Sequence, residues 1–467
     1  MGTLHAADFK PGRMAKLACT ALAGTSVEWY DFFLYGTAAA LVFPTVFFPE
    51  NLPPAVALIA SFSTFAVGFV ARPIGAVLFG HFGDRAGRKT ALVAALILMG
   101  IATTLIGLLP PYRVVGILAP VLLIVLRFAQ GLAIGGQWGG AVLLITESVP
   151  AGRRGFYSSF AQAGVQVGVL LANGAFLLVG ASGSNDAFLS WVWRIPFVAS
   201  LAVVGLGLVV QFRIEETAAF RALPQPEGFG GEVRSRNQRQ GNDEVRSAKH
   251  RALAHRRSPV LEALRLHPRN ILLAAGAFMG SNTVFYILIT FVVAYGSSAA
   301  GLNLPRAMML SAVLISSVVT IPALIFFGAL SDRYGRRHIF MLGAALEAIW
   351  VFVLFPLIDT RSFVCITIGV VIGQLLNAMM YGPQAALFAE LFTTRVRYSG
   401  ASLGYQLGSV FGGALAPIIA TTILARYHGS VGISAYVAVA CGVSLVSVAL
   451  LKETYRVELH KEAAASL

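Results

Sequence analysis

Long apolar stretches place the first constraint on this chain. Its 467 residues divide into mostly apolar runs separated by shorter segments that carry Gly, Pro or charge. A helix that crosses a bilayer needs about 20 apolar residues. Hydrophobic residues make up 57% of the chain and charged residues 12%, whereas a soluble protein carries about 25% charged residues. This pattern excludes a soluble enzyme, a secreted disulfide scaffold and a disordered protein.

The apolar runs predict an all-α membrane protein with twelve transmembrane helices, six in each half of the chain. The fourth and tenth runs exceed one bilayer thickness and are expected to extend into the cytoplasm. The twelve predicted spans are 17–43, 55–80, 89–109, 114–148, 156–181, 190–212, 269–296, 305–331, 338–358, 362–391, 397–424 and 430–451.

The basic residues predict the orientation. The chain has 35 basic and 21 acidic residues and a formal net charge of +14. Of the 35 basic residues, 28 fall on one side of the predicted spans, and loops rich in Lys and Arg stay in the cytoplasm. Both termini are therefore expected in the cytoplasm, and we expect no nucleic-acid partner. The first apolar run is interpreted as a span and not as a signal peptide. Its AxA sequence, Ala21 to Ala23, lies at the start of the run, whereas a signal cleavage site follows the apolar region.

One long polar segment divides the chain. The predicted units are an N-terminal cytoplasmic tail at 1–16, a six-helix bundle at 17–212, a basic cytoplasmic linker at 213–268, a second six-helix bundle at 269–451 and a C-terminal tail at 452–467. The composition of the linker is typical of a solvated tether. The alternative is a basic segment attracted to anionic lipid.

A repeated motif indicates that one six-span unit occurs twice. Residues 80–89 read GHFGDRAGRK, and residues 328–337 read GALSDRYGRR, each after the second span of its half. A second motif, in which Glu precedes Arg by seven residues, ends the fourth and tenth spans as Glu147 with Arg154 and Glu390 with Arg397. Two matched pairs at nearly constant offset are typical of an internal repeat.

The chemistry of the repeat suggests a latch between helices. Gly80 and Gly328 allow a close crossing of helices, and Gly87 and Gly335 allow a tight turn. The aspartate of each copy can cap the following helix or pair with an Arg across an interface. A plain hairpin with basic residues that reach the membrane surface is the alternative. The expected gating residues are Gly80, Asp84, Arg85, Gly87, Arg88, Glu147, Asp332, Arg333, Gly335, Arg336, Glu390 and Arg397.

Residues 80–89 resemble the loop signature of the major facilitator superfamily, and Arg127 with Gln130 and Gly131 resembles its fourth-helix motif. The resemblance implies the major facilitator fold. Further segments resemble the metabolite:proton symporter branch, whose members carry shikimate, citrate, 2-oxoglutarate, or proline and betaine. In the branch's GGE pattern this chain has Gln137 in place of Glu, and its linker is longer. The matching segments are EWYDFFLYG (28–36), ARPIGAVLFGHFGDRAGRK (71–89), RFAQGLAIGGQWGGA (127–141), WRIPF (193–197) and RIEETAAF (213–220).

Five charged residues stand out as functional candidates among those inside the predicted spans, because an ionised side chain at the bilayer centre costs about 2.5 to 3.5 kcal/mol. Glu28 and Asp31 share a helical face and are the expected proton-coupling residues. Arg72 and Arg127 offer forks for a carboxylate. The alternative is that the two acids neutralise the two arginines and only hold helices together. Glu347 is expected near the cytoplasmic end of span nine, at the membrane interface.

Polar side chains recur at helical spacing in three spans and predict a polar central cavity. The alternative is interhelical hydrogen bonding, worth about 0.6 kcal/mol for each bond. Glycines of span four, among them Gly131 and Gly135, are expected to serve close packing. The stripes are Gln162, Gln166 and Asn173 in span five, Asn282, Tyr286 and Thr290 in span seven, and Gln374, Asn377, Tyr381 and Gln384 in span ten. The expected substrate-binding residues are Arg127, Arg72, Gln137, Gln162, Gln166, Tyr286, Gln374, Asn377 and Tyr381.

Missing motifs bear on the energy source. The sequence has no GxxxxGK[ST] phosphate loop and no HExxH motif, and its three cysteines suggest neither a metal site nor a disulfide framework. We therefore expect no enzyme activity, no cofactor and no metal, with the proton gradient as the energy source.

The sequence as a whole predicts a monomeric symporter of the bacterial inner membrane that imports a small organic acid together with protons by alternating access. Its partners would be the substrate, protons and the lipid bilayer. The alternatives are a proline/betaine-type osmolyte:proton symporter, a drug:proton antiporter with a broader aromatic cavity, and a transporter-like membrane sensor.

Overall fold

The computed structural model describes residues 11–86, 88–135, 145–146, 149–181, 184–213, 259–393 and 396–455. Three residues with predicted roles, Gly87, Gln137 and Glu147, lie outside these ranges, as do most of the linker and the ends of both tails. The side chains of residues 80–89 are also outside the description, so the predicted gating roles of Asp84, Arg85 and Arg88 stay predictions.

Long helices follow the predicted spans in both halves of the chain. The first half contains α1 (Pro11–Leu41), α2 (Pro54–Ala86), α3 (Arg88–Leu108), α4 (Leu118–Gly135), α5 (Arg154–Gly180) and α6 (Ile195–Arg213). The second half contains α7 (Pro268–Ser297), α8 (Arg306–Tyr334), α9 (Arg336–Asp359), α10 (Phe363–Glu390), α11 (Arg397–Tyr427) and α12 (Val431–Leu450). Short helices lie at Phe43–Val46, Tyr112–Val115, Asn185–Ser190 and Pro259–Leu266, and 3₁₀ turns at Ala151–Arg153 and Val192–Arg194.

In the described part of the chain, ten helices are long and apolar enough to cross a membrane, namely α2 to α5 and α7 to α12. Large apolar side chains such as Val77, Leu78 and Ile349 are exposed on their outer surfaces, as lipid contact requires. The apolar stretch around α6, Val192–Gly205, is shorter. The all-α membrane architecture is thus confirmed, while the number of twelve spans and the cytoplasmic termini stay predictions.

The two halves meet mainly along α1, α2 and α5 of the first half and α7, α8, α10 and α11 of the second. Helix α5 packs against α8 and α10, α2 packs against α11, and α1 packs against the second part of α7. Both α7 and α11 contain one π-helical turn, at Ile287–Phe291 and Val410–Ala414. Such turns occur frequently at functional sites. We call the end of the bundle where α6 ends at Arg213 and α8 ends at Tyr334 the linker face.

Glycines in α4 bring it into backbone contact with α2, as the packing interpretation of these glycines expects. A Cβ atom at Gly131 would lie 2.7 Å from the Cβ of Ala71 and 2.9 Å from the carbonyl carbon of Gly68. A Cβ atom at Gly135 would meet the carbonyl of Arg72. This crossing sets the depth at which the two arginine-bearing helices face each other.

The crossing predicts that Gly131→Ala lowers the free energy of unfolding by about 1 to 3 kcal/mol, because the added methyl group overpacks a contact between two backbones. Thermal unfolding of the purified protein in detergent measures this loss. The matched control is Gly205→Ala in α6, where a Cβ atom has no neighbour within 4 Å. Equal stability of the two variants would contradict the account of the crossing.

Candidate functional site

A small cavity lies between the two halves of the bundle, in a region with about 220 Å³ of non-atom space, part of it open to solvent. Six of its nine lining residues are aromatic. Of the residues in the three polar stripes, Asn282, Tyr286 and Tyr381 line it. The lining residues are Trp29, Val165, Phe278, Ser281, Asn282, Phe285, Tyr286, Tyr381 and Tyr405.

Two arginines are buried beside this cavity and share one aromatic ring. Arg72 is 1% exposed and Arg127 is 0% exposed. Their guanidinium carbons lie 4.3 Å and 4.2 Å from the ring centroid of Phe32. Arg72 also lies 5.2 Å from the ring centroid of Trp29, which lines the cavity. Cation–π contacts of this kind contribute up to about 2 kcal/mol when desolvated, so the rings partly replace lost hydration.

Both arginines keep free donors. Among the described residues, Nε and Nη2 of Arg72 and Nη2 of Arg127 have no hydrogen-bond partner. None of the ion pairs found in this part of the chain joins either arginine to Glu28 or Asp31. The alternative in which these acids neutralise the arginines is therefore wrong for this conformation. An unpaired buried cation is costly, and its free donors suit an anionic ligand.

A chain of polar side chains connects Arg127 to Asp31. Arg127 Nη1 donates to Gln130 Oε1 at 2.9 Å, and Gln130 Nε2 donates to Thr103 Oγ1 at 2.6 Å. Thr103 is in turn a hydrogen-bond neighbour of the Asp31 carboxyl group. Asp31 is buried and accepts a hydrogen bond of 2.5 Å from Ser200 Oγ on α6. The candidate proton site and the candidate anion site thus belong to one network.

Glu28 lies one turn before Asp31 on α1 but in a different environment. Its side chain is only partly buried, and it does not line the cavity. Asp31, by contrast, is enclosed by α3 and α6. Of the two predicted proton-coupling residues, the structure connects Asp31 to the arginines.

The amides of α5 join the two halves. Gln166 Nε2 donates to Gln374 Oε1 at 3.2 Å, and Gln162 Nε2 donates to the carbonyl of Tyr381 at 3.3 Å. Gln162, Gln166 and Gln374 are buried and do not line the cavity. In this conformation they hold α5 against α10, which matches the hydrogen-bonding alternative considered for the stripes.

Asp332 ties the second copy of the repeated motif to the opposite half at the linker face. Its two carboxylate oxygens accept the backbone N–H groups of Gly155 and Phe156, each at 2.9 Å. It also pairs with Arg336 at 2.6 Å. Sequence reasoning expected Asp332 to cap its own following helix or to pair with an Arg of the other half. The aspartate instead caps the start of α5, where the helix dipole favours negative charge.

Glu390 is the centre of a buried ion-pair network at the same face. Its Oε1 lies 3.6 Å from Arg154 Nη1 of the first half and 3.3 Å from Arg336 Nη2. Thr454 Oγ1 donates to Glu390 Oε2 at 2.8 Å. Since Arg154 and Glu390 belong to different halves, the network closes the linker face.

Other predicted gating residues have different surroundings. Arg333 is exposed. Gly335 has a φ of 96° between α8 and α9, a backbone conformation that favours glycine. Arg397 is buried, and its Nε donates to the carbonyl of Phe392 at 3.2 Å.

The halves also touch at the opposite face. The guanidinium carbon of Arg306, at the start of α8, lies 3.7 Å from the ring centroid of Phe188 in the first half. The two halves are thus in contact at both faces.

Sequence reasoning misplaced Glu347 and missed the aromatic lining. Glu347 was expected at the membrane interface, but it is 1% exposed and lies halfway along α9, so that prediction is wrong. Trp29 lines the cavity and Phe32 contacts both arginines, and in the sequence each directly follows one of the acids, Glu28 or Asp31. The two aromatic residues are three positions apart and so share a helical face. Such a pair in a chain with intramembrane arginines indicates cation–π contacts, and this signal could have identified them.

The family model described as "Sugar (and other) transporter" matches residues 16–464. The chain belongs to this family of the major facilitator superfamily. It is therefore a membrane transporter and not an enzyme, as the sequence predicted.

The relatives agree with this assignment. The inner membrane metabolite transport protein YhjE of Escherichia coli is 38% identical over 96% of this chain and 97% of its own length. The shikimate transporter of the same organism is 38% identical over 95% of this chain and 96% of its own length. The proline/betaine transporter of E. coli is 29% identical over 95% of this chain and 84% of its own length. These relatives place the chain in the bacterial inner membrane as a multi-pass protein.

A solved structure shows the same fold. The xylose transporter XylE from E. coli, in a partially occluded inward open conformation, superposes with a TM-score of 0.70 at 18% identity, over 96% of this chain and 99% of that chain.

The linker-face network predicts that Glu390→Gln opens this face, because removing one partner of a buried ion pair costs about 3 to 5 kcal/mol. A cysteine at Ser159, which is buried against Gly328, reports the opening in a background without the native cysteines. We expect maleimide to label it at least about tenfold faster in Glu390→Gln, since about 1.4 kcal/mol is one factor of ten. Glu50→Gln, at an exposed pair with Arg113 on the opposite face, is the control. Equal labelling of both variants would show that the network does not hold the face closed.

Proposed function

We propose that this protein is a proton-coupled symporter that imports a small organic acid by alternating access, with a shikimate-like compound or a di- or tricarboxylate as substrate. The observation that carries the proposal is the pair of buried arginines with free donors beside a cavity between the two halves. The 38% identity to a shikimate transporter over nearly the whole chain supports it. No cofactor is part of the proposal, and the chain acts as a monomer.

The proposed anion site uses the free donors of Arg72 and Arg127. A guanidinium group offers two parallel N–H bonds to a carboxylate, and both groups are held by aromatic faces rather than by acids. The apolar rings of the cavity would contact the carbon skeleton of the substrate, with Tyr286 and Tyr381 as polar contacts.

The proposed proton site is Asp31. A bound anion would change the charge next to Arg127, and the polar chain through Gln130 and Thr103 would transmit that change to the carboxyl group. A proton and a carboxylate bring opposite charges into the membrane. When one proton accompanies each carboxylate, the loaded and the empty carrier have the same net charge there, so both can reorient at similar electrostatic cost.

The proposed cycle alternates between the contacts at the two faces. Separation of Glu390 from Arg154 and of Asp332 from the start of α5 would open the linker face. The bonds that Gln162 and Gln166 make to α10 would break at the same step and release these amides toward the substrate.

The aromatic lining favours a second candidate, a proline/betaine-type osmolyte:proton symporter. Aromatic cages recognise quaternary ammonium groups, and Phe278 stacks on Tyr405 at 4.3 Å between ring centroids in the cavity wall. Related proline/betaine transporters are 29% to 31% identical. A drug:proton antiporter would also use aromatic residues, but the relatives at 29% to 38% identity are described as transporters of metabolites, of shikimate, or of proline and betaine.

The coupling proposal predicts that Asp31→Asn keeps downhill counterflow but loses proton-driven accumulation, because the amide can neither take up nor release a proton. Proteoliposomes and a panel of shikimate, citrate, 2-oxoglutarate, proline and betaine provide the measurement. Glu50→Gln is the control for a carboxyl group outside the network.

Unchanged proton-driven uptake in Asp31→Asn would contradict the role of this residue, and insensitivity of the parent protein to a protonophore would indicate a facilitator. Binding without accumulation would favour the sensor.

The anion-site proposal predicts that Arg127→Gln weakens carboxylate binding about 10- to 100-fold, since a hydrogen bond to a charged group contributes about 1.5 to 3 kcal/mol. The measurement is the half-saturating concentration in counterflow. Arg113→Gln removes an exposed arginine outside the site and should leave this concentration unchanged. If both variants bind the transported acid as tightly as the parent does, Arg127 does not contact the substrate.

A further inference from the structure

A carboxyl group in the second half plays no part in the transport scheme above. Glu347 lies halfway along α9 and is 1% exposed. At 1.5 Å per residue, the middle of this helix is about 17 Å from either end. Its Oε2 has no hydrogen-bond partner among the described residues, and none of the ion pairs found there includes it.

In the part of the chain that the structure describes, no cation pairs with Glu347. From α10, Gly373 faces it, and a Cβ atom there would lie 3.6 Å from Glu347 Oε1 and 3.1 Å from Leu288 of α7. From α12, the titratable neighbour is Cys441, which is buried. The charged residues of α9 itself lie at its two ends, Arg336 to His338 and Asp359. An ionised carboxylate in this position would be unpaired and desolvated, so the group is stable there only with its proton.

A polar route leads from the central cavity towards this group. Ser281 lines the cavity, and its Oγ donates to Asn377 Oδ1 on α10 at 2.9 Å. Asn377 and Gly373 are four residues apart, so they share a face of α10 and are separated by a rise of about 6 Å. Because Gly373 has no side chain, the Glu347 carboxyl group reaches that face. The route runs beside the π-helical turn Ile287–Phe291, which contains Leu288.

We propose that Glu347 is a second proton-binding site, located in the second half of the transporter and filled from the central cavity through Ser281 and Asn377. The carboxylate takes one proton from water that enters the cavity, and the acid returns that proton to water when the cavity next opens. No other bond forms or breaks. The role of Glu347 in transport rests on the proposed proton coupling. Whether Glu347 carries a proton can be tested without any substrate.

Infrared spectroscopy of the purified protein in lipid at neutral pH tests the occupancy. The measured signal is the C=O stretch of protonated carboxylic acids. We expect one component of this band to be absent in Glu347→Gln and retained in Asp31→Asn. Glu347→Asp should retain a protonated acid band and serves as the test variant if the glutamine variant does not fold. An acid band in Glu347→Gln identical to that of the parent would overturn the proposal, because Glu347 would then be ionised.

Transfer of the same samples into D₂O tests the route. We expect the Glu347 component to shift as the acid proton exchanges, and to shift several-fold more slowly in Asn377→Leu. Gln384→Leu is the matched control, since this buried amide of α10 lies away from the route. A Glu347 component that never exchanges, or that exchanges equally fast in Asn377→Leu and the parent, would overturn the proposal. Protonophore-insensitive transport would refute the symporter but would leave both infrared results intact, so the two failures are distinguishable.

Discussion

Two arginine side chains inside the membrane, held by aromatic rings instead of acids, are the constraint on which the rest of this transporter depends. Removing a cation from water costs several kcal/mol, and Arg72 and Arg127 recover part of that cost from the faces of Phe32 and its neighbours. Their unused donors make the region between the halves attractive to an anion. The close backbone crossing of α2 and α4 at Gly131 and Gly135 keeps the two side chains at one depth.

The two faces of the bundle are closed by different chemistry. At the linker face, Glu390 and Asp332 use buried charge, with arginines and the start of α5 as partners. At the opposite face, Arg306 lies over the ring of Phe188. Buried charges separate only when water replaces their partners. Opening of the linker face therefore requires water to enter, and this is the step at which a substrate and a proton could leave.

Sequence patterns predicted the long helices and singled out several residues that lie at the linker face, but not the partners of those residues. Length and composition were enough to locate the long helices, because a span must be apolar along its whole length. The internal repeat identified Asp332, Arg336 and Glu390. That Asp332 caps a helix of the other half depends on how the halves pack, which no local pattern encodes.

The cavity was harder to predict, for a related reason. Amide stripes at helical spacing suggest polar lining and interhelical bonds equally well, and for Gln162, Gln166 and Gln374 the structure shows bonds between the halves. The residues that line the cavity are mainly aromatic, and aromatic residues are so frequent in spans that spacing alone did not distinguish them. The burial of Glu347 became visible only when four helices were assembled around it.

The most direct test of the account is the simultaneous measurement of proton and acid movement in proteoliposomes that start without a gradient. The account predicts that adding the transported acid makes the external medium more alkaline as the acid enters down its own gradient, and that a protonophore abolishes the pH change. Uptake of the acid with no accompanying change in external pH would contradict it.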